Sequence, residues 1–84
     1  MNTFLHAILR DIEGRYHFQK LEVRADAGEL VIEPRGDRLR VSGTHEITGL
    51  GPRDGTYVEL EGGSAYGVII QIETARRLGL AIEH

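Results

Sequence analysis

The chain has 84 residues, no cysteine and a formal net charge of −3. So short a chain builds one hydrophobic core and therefore one domain, 1–84. Without cysteine, neither a disulfide nor a thiolate metal site braces it. No apolar run approaches the roughly 20 residues that span a bilayer, and the N-terminus lacks the basic region and small-residue cleavage site of a signal peptide. The expectation is a cytoplasmic protein with no membrane partner.

Charge is unevenly spread. Residues 1–42 carry seven basic and seven acidic side chains, whereas residues 43–84 carry three basic and six acidic ones, which accounts for the whole −3. From Asp54 to Glu73 there is no basic residue, so this stretch would repel phosphate and attract a basic surface.

In chain order, Leu5, Ile8, Leu9 and Ile12 stand at i, i+3, i+4 and i+7, which predicts a short N-terminal helix capped by Asn2 or Thr3 and ended by Gly14. A buried strand is the competing reading of the same residues. After Gly14 the period becomes two. Tyr16 and Phe18 are apolar at even positions, and Leu21, Val23 and Ala25 at odd ones. One buried face cannot survive that change without a bulge, or else Tyr16 and Phe18 face away from Leu21 and Val23. With only five aromatic residues in the chain, the core is the expected place for these two.

Ala27-Gly28 predicts a turn into Leu30-Val31-Ile32. Pro34-Arg35-Gly36-Asp37 predicts another, into a strand with Leu39 and Val41 inward and Arg38 and Arg40 outward. Thr44–Thr48 fits a further short strand. Gly49–Gly55 reads as a loop, Val58 and Leu60 as the inner positions of the next strand, and Gly62-Gly63-Ser64 as a tight connection. Val68, Ile69 and Ile70 are consecutive apolar residues, so that strand is expected to be covered on both faces. Ala75, Leu78 and Ile82 predict a C-terminal helix capped by Thr74, with Arg76 and Arg77 exposed and Gly79 weakening it by about 1 kcal/mol.

Few chemistries survive inspection. Gly49–Gly55 is not a phosphate cradle, because Pro52 removes an amide donor, Asp54 stands where the third glycine belongs and a strand follows. Arg35-Gly36-Asp37 matches an adhesion tripeptide, yet it is also ordinary turn composition. His6, His17, His45 and His84 show no metal-ligand spacing, so no metal is expected. Neither Ser42 nor Ser64 sits in a nucleophile elbow, and no carboxylate pair lies in an apolar setting that would raise a pKa. Neither a cofactor nor an enzymatic activity is expected.

The predicted fold class is α+β: a small antiparallel sheet of five or six strands with a short N-terminal and a short C-terminal helix. A helix leading into a bent antiparallel sheet is similar in order to Sm-like domains, but their Asn-Gly signature is absent and no residue roles carry across. The leading functional expectation is a non-enzymatic protein-binding module, an inhibitor or adaptor of a larger protein with a basic surface, of the kind that phage-encoded anti-CRISPR proteins represent. Its interface would be the acidic hairpin of Asp54, Tyr57, Glu59, Glu61 and Tyr66, or an exposed sheet edge. An unpaired edge or the Val68–Ile72 face would also suit a homodimer. The alternative is a single-stranded nucleic-acid-binding domain that stacks bases on Tyr16 and Phe18 beside Arg38 and Arg40. The acidic second half disfavours nucleic acid as the partner.

Overall fold

The computed structural model describes residues 2–62 and 67–82. Six strands follow one another as β1 (Thr3–Arg10), β2 (Tyr16–Asp26), β3 (Glu29–Ile32), β4 (Asp37–Ile47), β5 (Gly55–Glu61) and β6 (Gly67–Gln71), and one helix, α1 (Ile72–Arg77), comes after them. Each strand pairs antiparallel with the next, and β1 pairs with β6, so the sheet closes into a barrel. Alternation sends Leu5 and Ala7, Val23, Leu30, Leu39, Val58 and Leu60, and Val68 and Ile70 into the lumen, where they form the main core. Leu9, Leu21, Ile32 and Val41 pack at its margins.

The expected N-terminal helix is not formed; residues 3–10 are a strand. The helical spacing of Leu5, Ile8 and Leu9 is real, but the same run satisfies a strand that is covered on both faces. Leu5, Ala7 and Leu9 pack on the core, while Ile8 faces outward and is buried there in a second cluster with Ile47 and Ile69. Burial on both faces erases the alternation that would have marked a strand. Ile12, the fourth member of the supposed helical stripe, is 88% exposed at the β1–β2 turn.

The fork at Tyr16 and Phe18 resolves toward the surface. β2 runs unbroken from Tyr16 to Asp26 and pairs without interruption with β1, Arg10 opposite Tyr16 and Ile8 opposite Phe18. Leu21 and Val23 face the lumen, so Tyr16 and Phe18 lie on the outer face. The core expectation is therefore corrected: Phe18 is 49% exposed, and Tyr16 is half-buried on the outer cluster.

Parity also changes in β4, and here a bulge does it. The β4–β5 register slips at Ser42, between the Val41–Leu60 and Gly43–Glu59 pairs. Ahead of the slip Leu39 and Val41 face inward; beyond it His45 and Ile47 face outward. A bulge adds twist and bends its strand. The distal parts of β4 and β5 accordingly fold back over β6 and β1, and the outer cluster of Ile8, Ile47 and Ile69 is buried between them. This explains why Val68, Ile69 and Ile70 are all buried. Of the Val68–Ile72 face offered above for a homodimer, Val68, Ile69 and Ile70 are covered from within the chain, and Gln71 is exposed.

The C-terminal segment closes one end of the barrel. Ala75 and Leu80 join the core, with Ile72, Leu78 and Ile82 beside them. Gly79 is the terminator of α1 rather than a flaw in it. Its φ is +72°, Gly79 N–H donates to the Arg76 carbonyl and Leu80 N–H to the Ala75 carbonyl, the paired bonds of a Schellman motif. The chain then docks on the β2–β3 turn through an Ala81 N–H to Gly28 carbonyl bond of 3.0 Å. That turn holds Ala27 and Gly28 at φ of +53° and +81°, the left-handed pair a two-residue hairpin requires.

Asp11 organises the β1–β2 turn. Its carboxylate accepts the backbone N–H of Glu13 and of Arg15, both at 2.9 Å, and meets His17 Nε2 at 2.8 Å. The hydrogen bond to His17, followed by that from Arg15, holds the Asp11 carboxyl below its ordinary range. A carboxyl whose folded pKa is depressed stabilises the fold above its unfolded pKa, and that contribution is lost as pH falls through the folded value. Asp11→Asn should be less stable than the wild type at pH 6. Urea unfolding at a series of lower pH values should show the two curves converging below the ordinary carboxylate range.

Candidate functional site

β1 pairs with β2 along its whole length, Thr3 to Arg10, but with β6 only from Ile8 to Arg10. Beyond Ile69, β6 keeps its β5 partner through Gln71 and the chain then turns into α1. Among the described residues, the Thr3–Ala7 edge of β1 thus has no ladder partner on the β6 side. A groove of about 710 Å³ opens where the two strands part.

It has a floor and two walls. The floor is the outer face and free edge of β1 with Phe18 and Lys20 of β2 and Ile69 of β6; Pro52, Arg53 and Tyr57 form one wall, and Thr74 and Arg77 of α1 with Leu78 just after it form the other. The Pro52–Arg53 wall is held by local bonds. Asp54 accepts the N–H of Gly49 at 3.2 Å and of Leu50 at 2.6 Å, and the Tyr57 hydroxyl donates to the Arg53 carbonyl at 2.6 Å. So braced, the Arg53 guanidinium stands 4.1 Å from the centre of the Phe18 ring, and Lys20 Nζ stands 5.1 Å from that of Phe4.

The electrostatics of the groove oppose those of the chain. Its lining includes His6, Lys20, Arg53 and Arg77 and, among the described residues, no Asp or Glu. Near it, Glu22 is hydrogen-bonded to Asn2 at 2.9 Å and Glu73 lies 3.9 Å from Arg77. Phe4 is 61% exposed, a large apolar surface left in water beside cations.

A second polar cluster pins the folded-back hairpin. The Tyr16 hydroxyl lies 2.8 Å from His45 Nε2, Arg10 Nη1 3.4 Å from His45 Nδ1, and Arg10 Nη2 3.0 Å from Glu59 Oε2. The Arg10 guanidinium can only donate, whereas the Tyr16 hydroxyl and the His45 ring can each donate or accept. This cluster ties β4 and β5 to β1 and β2 and does not line the groove. No buried side-chain polar atom among the described residues lacks a partner, and no group of three metal-ligating side chains occurs among them.

The proposed site residues fall in different places. Of the acidic hairpin, Tyr57 lines the groove, Asp54 is spent on the loop amides, Glu59 is bonded to Arg10, and exposed Glu61 lies 3.7 Å from Arg40. Tyr66 lies outside the described residues. The nucleic-acid set is not brought together. Arg38, on β4, has its guanidinium on Glu29 at 2.8 Å and at 3.0 Å on Asp26, which ends β2 eight residues beyond Phe18, and these two partners hold it firmly protonated. Arg40 is on the same side, and Tyr16 spends its hydroxyl on His45. His6 and His17 also stay apart: His6 is in the groove and His17 on Asp11.

Sequence reading expected an exposed sheet edge without assigning it to β1, and it missed Arg53 and Arg77. The pairing of Phe4-x-His6-x-Ile8 with Glu22-x-Lys20-x-Phe18 becomes readable only once residues 3–10 are taken as a strand.

No family model matches the chain, and no match emerges among curated proteins or solved structures. Among the described residues, no helix is long and apolar enough to cross a membrane.

Apolar packing, more than the polar cluster, should hold the hairpin over the groove. Ile47→Ala empties a fully buried site and should cost about 2–5 kcal/mol. Tyr16→Phe removes one hydrogen bond and should cost about 1 kcal/mol. Urea unfolding of both variants measures the ratio.

Proposed function

We propose that this chain is a non-enzymatic protein-binding module, an inhibitor or adaptor that takes a segment of a larger protein into the groove beside β1. The observation that carries the reading is the Thr3–Ala7 edge, which has no ladder partner on the β6 side among the described residues and borders a groove with apolar and cationic walls. A strand edge with free backbone donors and acceptors is a template for another chain, and an exposed apolar patch rimmed by polar groups marks an interaction surface.

Binding is favoured over catalysis by where the ionisable groups stand. The Arg10–His45–Glu59 cluster is satisfied internally and lies away from the groove, whereas the groove presents cations, aromatic rings and aliphatic side chains. It is favoured over the acidic hairpin because Asp54 and Glu59 are already engaged within the chain.

Capture of partners from nuclease-treated extract of the source organism tests this. The wild type and Glu61→Lys should retain the same protein, and Arg53→Glu with Arg77→Glu should lose it. Loss in Glu61→Lys, with the double variant unaffected, would move the interface to the acidic hairpin. Retained material that nuclease releases would instead support the nucleic-acid reading.

A further inference from the structure

Resting on that reading of the groove, we propose that its occupant is an extended acidic segment that adds as a strand to the Thr3–Ala7 edge of β1, its side chains alternating between apolar and acidic. The alternation follows from β1 itself. Leu5 and Ala7 face the core and Phe4 and His6 the outer surface, and a strand added in register must alternate in the same way. Residues on its inner side meet Leu5, Ala7, Ile70 and Leu78; those on its outer side meet Phe4, His6, Phe18, Lys20 and Arg53. The first set is apolar or small. The second is cationic and aromatic, with no carboxylate among the described lining residues, so an aspartate or glutamate at each outer position is complementary to it.

Length follows from the same edge. Five residues of strand, Thr3 to Ala7, span about 17 Å at roughly 3.4 Å per residue, so the inserted segment has about five residues. Arg77 projects from the α1 wall and serves the segment's flank. A single-stranded nucleic acid matches the cations and rings but has no peptide N–H and C=O to continue the ladder. The partner segment is thus acidic although this chain is itself acidic, because the groove concentrates its cations against the overall charge of −3.

The test uses four fluorescein-labelled probes of stated composition with the full chain at low salt: a peptide of about eight residues alternating Val and Glu, the same peptide with Lys for Glu, a Val-block–Glu-block peptide of the same composition, and an oligothymidylate of about 15 nucleotides. The alternating Val/Glu peptide should bind most tightly by anisotropy and weaken as salt is added. It should also slow amide exchange at alternate residues within Thr3–Ala7 by about tenfold or more, the mark of new ladder bonds. Arg53→Glu with Arg77→Glu should weaken it by about tenfold or more. Lys20→Gln, an exposed change that leaves the core intact, should weaken it less. Equal binding of the block or Lys peptide overturns the alternation or the charge. Tighter binding of the oligonucleotide, competing for the groove, overturns the peptide assignment. If no peptide binds while the captured protein is still lost from the groove variant, strand addition by an acidic segment falls and the groove reading stands. If neither is seen, both fall.

Discussion

Ile47 is on the outside of a barrel and yet has no solvent exposure. It packs on Ile69 and Ile8, which also point outward, and this contact holds the far end of the β4–β5 hairpin against the outer surface of β6 and β1. The bulge at Ser42 makes the contact available by reversing the parity of β4, so that Leu39 and Val41 fill the lumen while Ile47 leaves it. Without the bulge, Ile47 and the half-buried His45 would face the other way. Leu50 and Tyr57 then join the cluster, and the loop between them is carried over Phe18 as one wall of the groove.

A chain of 84 residues has little core to spare, and this one divides it in two. The lumen takes mostly Leu and Val residues, contributed by all six strands, and a smaller cluster outside takes three isoleucines. The division lets one barrel seam open. β6 gives up its β1 partner after Ile69 because the chain must turn into α1, whose Ala75, together with Leu80 just beyond the helix, seals the end of the lumen. The cost is a strand edge without a partner among the described residues, a feature proteins usually cover or charge. Here the edge is flanked by cations, and that flanking suits the binding role proposed for it.

Much of the sheet was legible. The turns at Ala27-Gly28 and Pro34–Asp37 and the inward Leu39, Val41, Val58 and Leu60 followed from turn chemistry and period two, and the doubly covered Val68–Ile70 from its unbroken apolar run bounded by turn signals. The N-terminal segment did not, because Leu5, Ala7, Ile8 and Leu9 bury both faces, and a strand buried on both faces carries no alternation to read. Tyr16 and Phe18 were misjudged for a related reason. Aromatic residues in a small chain are expected inside, but the lumen was already filled by aliphatic residues, which left Phe18 for the surface. Thr74 was expected as the cap of α1, and Gln71 stands there, without a side-chain bond. The groove was illegible because it depends on where β6 stops pairing with β1, a tertiary fact that no local pattern encodes.

The central claim is that the hairpin folds back through the Ile47, Ile8 and Ile69 contact. Methyl–methyl nuclear Overhauser effects in an isoleucine-labelled sample report that contact directly. Cross-peaks from Ile47 to both Ile8 and Ile69, together with ring contacts between Tyr16 and His45, are the predicted result. Their absence in a folded sample that keeps the Thr44–Val58 strand pairing would contradict the account, because the hairpin would then stand away from the barrel and the groove would lose its wall.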